Sequence, residues 1–133
     1  MSKISVDHIG IATESIKISK SFWNLIGFKD SSSHIVEDQG VKIQYLTGER
    51  GAKLELLEPL SSHSPVGKFI TKNGPGIQQL AVTVSDITGL IIKLKENGIT
   101  IINDIPTKGA DGKLISFIHP KSTGGVLVEL IQE

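Results

Sequence analysis

The sequence predicts an α+β fold: two βαβββ modules forming a strongly curved mixed sheet, with the helices outside. Two observations predict it. The chain repeats itself: "VDHIGIATESI" (6–16) lies over "IQQLAVTVSDI" (77–87), and "GAKLELLE" (51–58) lies over "GVLVELIQ" (125–132). Within each repeat an alternating strand pattern gives way to a helical pattern and then to three further strand-like runs.

The first strand is expected at about 4–12, where Ile9 and Ile11 alternate with His8, Gly10 and Ala12. A helix should follow over about 15–26, with Ile18, Phe22, Leu25 and Ile26 on one face. Gly27 is a natural stop for it. Strands are expected near 28–36, 41–47 and 52–58. The link "SSHSPVGKFITKNGPG" (61–76) has room for a short helix with Pro65 at its start. In the second repeat, strand 77–84 leads to a helix near 86–97. Its Ile87, Leu90, Ile91 and Leu94 follow the helical spacing, and Gly98 ends it. Strands near 99–103, 113–118 and 125–132 complete the repeat, and "IPTKGADGK" (105–113) reads as a polar loop. Residues 1–133 thus form one domain, with module 1 at about 4–60 and module 2 at about 77–133.

Composition narrows the function classes. Fourteen Lys and Arg balance fourteen Asp and Glu, so the chain carries no net charge and no general attraction to nucleic acid or a membrane surface. No apolar run approaches a membrane span, and no targeting segment is evident, which predicts a soluble, cytoplasmic protein. There is no cysteine. Any metal must therefore bind through imidazole, carboxylate, amide or water.

The repeat exposes a constellation. His8 falls on Gln79, and Glu55 falls on Glu129. Each is the polar member of a strand face otherwise lined by small residues, or stands among apolar neighbours: Leu54 and Leu56 point away from Glu55, Val128 and Leu130 away from Glu129. A lone strand glutamate is usually a solvated side chain, and a lone histidine a satisfied core or edge residue. Four such groups at matched places are harder to dismiss. A carboxylate inside an apolar strand is costly unless paired or metal-bound. Together the four line a candidate metal cleft, and an imidazole and oxygen set without thiolate suits an open site for Mn, Co, Ni or Zn.

These stretches resemble the vicinal oxygen chelate superfamily, which includes glyoxalase I and the extradiol dioxygenases. Within it they are most similar to the methylmalonyl-CoA epimerases. "VDHIGIAT" (6–13) carries the superfamily likeness; "KLELLEPLSSHSPVGKFITKNGPGI" (53–77) and "PTKGADGKLISFIHPKSTGGVLVEL" (106–130) carry the narrower one. The resemblance implies a homodimer, a divalent metal and an acyl-CoA substrate. It implies His8, Glu55 and Glu129 as metal ligands, with Gln79 where the family has a histidine. It implies proton transfer at the α-carbon by Glu129 and Glu55 through an enolate. A second glutamate used by some members falls here on Ile43. A donor set of one His, one Gln and two Glu also occurs in glyoxalase I, with the His and Gln exchanged between halves, so a lactoylglutathione lyase is the alternative. A metal-free small-molecule binder of the same fold is the third reading.

The remaining polar residues carry smaller expectations. Lys108, Lys113 and Lys121 border loops and could meet the phosphates of a CoA chain as point charges. His119 precedes Pro120 and shapes a cleft rim. His34 in "SSSHI" and His63 in "SSHSP" read as surface residues.

Overall fold

The computed structural model describes residues 3–133. The described residues form β1 (Ile4–Ala12), α1 (Ile16–Leu25), β2 (Lys29–Val36), β3 (Val41–Thr47), β4 (Lys53–Pro59), α2 (Pro65–Asn73), β5 (Gly76–Val84), α3 (Ile87–Glu96), β6 (Thr107–Lys108), β7 (Leu114–Ile118) and β8 (Leu127–Gln132). The α+β class is as expected, with the linker helix α2 starting at Pro65. The chain divides into two compact units: residues 8–78, and residues 79–133 together with the opening of β1.

Residues 8–78 carry the strand order β2-β3-β4-β1. β1 runs parallel to β4, and β4-β3-β2 are antiparallel. One face of this sheet packs Ile9, Ile11, Leu46, Leu54 and Leu56 against Ile16 and Trp23 of α1. The opposite face packs Ala12, Val41, Ile43 and Leu57 against Val66, Phe69 and Ile70 of α2. Each leucine so buried contributes about 1.5–3 kcal/mol. The β2–β3 turn closes at Gly40, whose φ of 62° lies in the left-handed region. A Cβ there would also come within 2.8 Å of the Ser64 Cβ, so the α2 cap seats directly on the turn.

Residues 79–133 repeat the plan with the order β5-β8-β7-β6. β5 is parallel to β8, and the remaining pairs are antiparallel. Val84, Ile87, Ile91, Ile101, Ile118 and Leu130 form its main core. Ala81, Ile115 and Ile131 pack on the other face with Phe117. Thr83 Oγ1 donates to Asp7 Oδ1 at 3.4 Å at the opening of β1.

Two expectations need correction. The apolar stripe of α1 does not face its sheet: Ile18, Phe22, Leu25 and Ile26 are all exposed, whereas Ile16 is buried. In α3 the predicted stripe does turn inward on Ile87 and Ile91. Ile16 and Ile87 are repeat-matched and both buried, so the two helices turn the same face inward, and the large apolar residues of α1 fall off that face. Glu58 Oε1 accepts from the Ile16 N–H at 2.8 Å, and Thr13 Oγ1 is bonded to Ser19 Oγ. The second correction is the strand expected at 99–103, which is reduced to a single bridge between Ile101 and Ile118. Asn103 Oδ1 captures the Phe117 N–H at 2.9 Å, and Ser116 Oγ donates to the Asn103 carbonyl at 2.8 Å. A side chain therefore takes the donor that a longer ladder would need. Pro106 follows shortly and has no N–H to extend it. The expected loop instead supplies β6, folded back on β7 by a turn in which Gly109 N–H donates to Lys113 O at 2.8 Å.

Both modules fasten the helix start with the end of their last strand. Glu58 accepts from Ile16 in the first; Gln132 accepts from the Ile87 N–H at 2.8 Å and donates to Ser85 O at 2.7 Å in the second. Ser15 and Asp86 cap the same two helices, accepting from Ile18 and Gly89. Replacing Gln132 by Leu removes both bonds and is expected to cost about 1–3 kcal/mol in urea unfolding. At the α1–β2 corner, Asn24 and then Lys20 hold the Asp30 carboxyl below its ordinary range by hydrogen bonds of 3.0 Å each. A lowered carboxyl stabilises the fold above its unfolded pKa, and that contribution is lost as pH falls through the folded value. The side chain is well exposed, so solvent screens it. Asp30→Asn should cost less than about 1 kcal/mol at neutral pH. The difference from the unaltered protein should vanish in acid, as unfolding free energy measured against pH would reveal.

Candidate functional site

The four singled-out side chains are buried, His8 and Glu55 at 5% exposure, Gln79 at 7% and Glu129 at 8%. Polar groups so deeply placed must be compensated. The parallel strand pairs explain how they are. Gly10 of β1 stands opposite Glu55 of β4, and Ala81 of β5 stands opposite Glu129 of β8. In each module the polar residue two positions before that pairing is brought beside the carboxylate. His8 Nε2 lies 2.9 Å from Glu55 Oε2. Gln79 Nε2 donates to Glu129 Oε1 at 3.1 Å. The repeat read from sequence is thus reproduced at the level of register.

The two pairs differ in chemistry. His8 and Glu55 bring an imidazole nitrogen and a carboxylate to one place within residues 8–78. Gln79 turns its amide nitrogen to Glu129, so its carbonyl oxygen, the atom with which an amide ligates a cation, is not used in that bond. Imidazole nitrogen, carboxylate oxygen and amide oxygen are all donors for a divalent cation of borderline hardness. Among the described residues no group of three or more His, Asp or Glu side chains is gathered closely enough to hold a metal; the donors come as two pairs.

Two rings join the His8–Glu55 pair on its face, and the sequence reading did not single them out for the site. Tyr45 of β3 stands opposite Glu55 in the antiparallel register. Its ring meets His8 edge-on at 6.3 Å between centroids and meets His34 of β2 edge-on at 5.8 Å. The signal was present in the hairpin parity: Ile43 and Tyr45 alternate, and antiparallel pairing with "KLELLEP" sets Tyr45 against Glu55. On β3, Ile43 is buried in the apolar cluster of this face.

The predicted substrate lysines are all exposed. Lys108 and Lys113 flank the β6–β7 turn, whereas Lys121 lies beyond the other end of β7. The first two are neighbours along one turn, and the third lies apart from it. His119 is a local capping residue, its Nδ1 accepting from the Lys121 N–H at 3.0 Å. His63 is exposed ahead of α2.

Residues 7–117 match the family model described as the Glyoxalase/Bleomycin resistance protein/Dioxygenase superfamily. The chain is 39% identical over 128 residues to the uncharacterized protein YqjC of Bacillus subtilis, covering 96% of this chain and 91% of that one. It is similar to the crystal structure of methylmalonyl-CoA epimerase from Mycobacterium tuberculosis, with a TM-score of 0.89 and 35% identity over 96% of this chain and 86% of that chain. It is also similar to a structure of methylmalonyl-CoA epimerase in complex with methylmalonyl-CoA and NH4+, with a TM-score of 0.87 and 34% identity over 96% and 93% of the two chains. On the family match, the fold and these likenesses, the chain belongs to the glyoxalase/bleomycin resistance protein/dioxygenase superfamily, the vicinal oxygen chelate proteins.

Proposed function

We propose that the protein is a metal-dependent epimerase that inverts the α-carbon of methylmalonyl-CoA or a related acyl-CoA. The observation that carries this reading is the pair of buried carboxylates, each paired with a metal-competent side chain at the same register position of its module. The likeness to epimerases, one of them solved with methylmalonyl-CoA, supports the substrate class. His8, Glu55, Gln79 and Glu129 would hold the divalent ion, with Co, Mn, Ni or Zn compatible with the donors. When bound, such an ion supplies Lewis acidity that stabilises a developing oxyanion.

The chain's own residues supply the rest. A proton between a thioester and a carboxylate is activated by the thioester carbonyl, which takes the charge as an enolate, and a carboxylate base removes it where that enolate is stabilised. Glu55 and Glu129 are the proton carriers in this reading, each taking or returning the proton at its carboxylate oxygen. Burial limits solvent contact at both, so the enolate is reprotonated by a positioned group and not at random. Lys108 and Lys113, on one exposed turn, and Lys121 offer point charges to the CoA phosphates. The protein is read as a cytoplasmic homodimer; the exposed α1 stripe of Ile18, Phe22, Leu25 and Ile26 is a surface that a second subunit would cover.

The donor set of one His, one Gln and two Glu favours one second reading, a glyoxalase I-type lyase acting on the adduct of methylglyoxal and glutathione. Two measurements separate the readings. Purified protein loaded with each metal should bind one divalent ion, and Glu129→Ala should lose it; Gln79→His should bind it more tightly, since imidazole is the stronger donor. Failure to bind any divalent ion would leave a metal-free binding protein. In deuterium oxide, the metal-loaded protein should exchange the α-proton of methylmalonyl-CoA and form no lactoylglutathione from methylglyoxal and glutathione. The reverse pattern would establish the lyase.

A further inference from the structure

The ring array on residues 8–78 has no part in the donor set, yet it lies on the face that carries His8 and Glu55. In strand order His34 stands on β2, Tyr45 on β3, Glu55 on β4 and His8 on β1. An acyl group lying over the Tyr45 ring therefore has the His8–Glu55 pair on one side and the His34 imidazole on the other. His34 is exposed, with Nε2 3.3 Å from Ser32 Oγ. Ile43 and Tyr45 face it from β3, and Lys53 and Glu55 stand beyond them on β4. α2 contributes only the exposed Lys68 and Lys72 as charged groups. β3 brings no carboxylate to this face, so an acyl group there meets the His34 imidazole on the β2 side.

Resting on the epimerase reading, we propose that His34 is a further proton-transfer group of the reaction, acting on the face of the α-carbon turned toward β2. In one direction Glu55 or Glu129, here both serving the face turned from β2, takes the α-proton, and the C–H electron pair moves into the enolate. The enolate pair then returns to carbon and forms a new C–H bond with the proton of the His34 imidazolium. The neutral imidazole regains a proton from the water it faces, and the carboxylic acid releases its own. The reverse direction runs the same transfers backward. An imidazole suits this work because it both gives and accepts protons near neutrality. The edge-on contact packs the His34 ring against Tyr45.

The test is His34→Gln in the metal-loaded protein, following inversion and α-proton exchange separately for each epimer in deuterium oxide. His34 is exposed on an outer strand, so an unchanged Tm and unchanged bound metal are expected. Inversion should fall by about 100-fold or more, while exchange from one epimer persists, because the carboxylate side still removes and returns a proton. Tyr45→Phe, which keeps the ring edge, should retain both activities. Inversion at the unaltered rate in His34→Gln would overturn the proposal and leave the epimerase reading standing. Parallel loss of inversion and of exchange from both epimers, or loss of the metal, would also overturn it. Absence of exchange in the unaltered protein would overturn the epimerase reading, and this proposal with it.

Discussion

Everything at the candidate site depends on the parallel pairing of the first and last strands of each module. That pairing is what brings a residue from the opening of β1 or β5 beside a carboxylate near the chain's next hydrophobic strand. A slip of one residue would turn Glu55 or Glu129 into the helix-facing core, where nothing could compensate a charge. Register is therefore fixed from both sides. Leu54 and Leu56 must reach α1, and Glu55 must reach His8. In the second module Leu130 reaches α3 while Glu129 reaches Gln79. The hydrophobic core and the polar pair enforce the same alignment.

The same strands hold the helices in place. Residues at their ends, Glu58 and Gln132, satisfy a helix N–H that has no intrahelical partner. One element thus carries the buried carboxylate in its middle and the helix clamp at its end. Displacing β4 or β8 would disturb the polar pair, the core and the helix start together. This coupling explains why the two modules agree most closely along these strands and diverge elsewhere, as in the shortened β6 and in the apolar residues that α1 carries off its inward face.

Much of the fold was legible because the pattern that folds it is local. Alternation located β1 and β3, Pro65 located α2, and Gly98 ended the second helix. What could not be read was set by contacts distant in sequence. Asn103 ends a ladder by capturing a backbone donor fourteen positions away. Glu58 fastens the start of α1 by a bond spanning 42 positions with Ile16 inward, and the apolar stripe that reads as core then lies outside. At the site, the internal repeat made the two pairs legible, since a matched position is itself a long-range clue. His34 and Tyr45 have no counterpart of their kind in the second module, where Phe117 lies over Tyr45, and so the repeat was silent about them.

The completeness of each pair within its own module has an evolutionary consequence. If the repeat arose by duplication, a module that already pairs a carboxylate with a compensating side chain delivers two finished pairs at once. The companion of either carboxylate can then change from imidazole to amide without stranding a bare charge in the interior, because a hydrogen bond of 3.1 Å remains. The side chain beside one carboxylate becomes free to drift while the pairing itself is kept. His8 and Gln79, descended in this view from one position, record such a divergence.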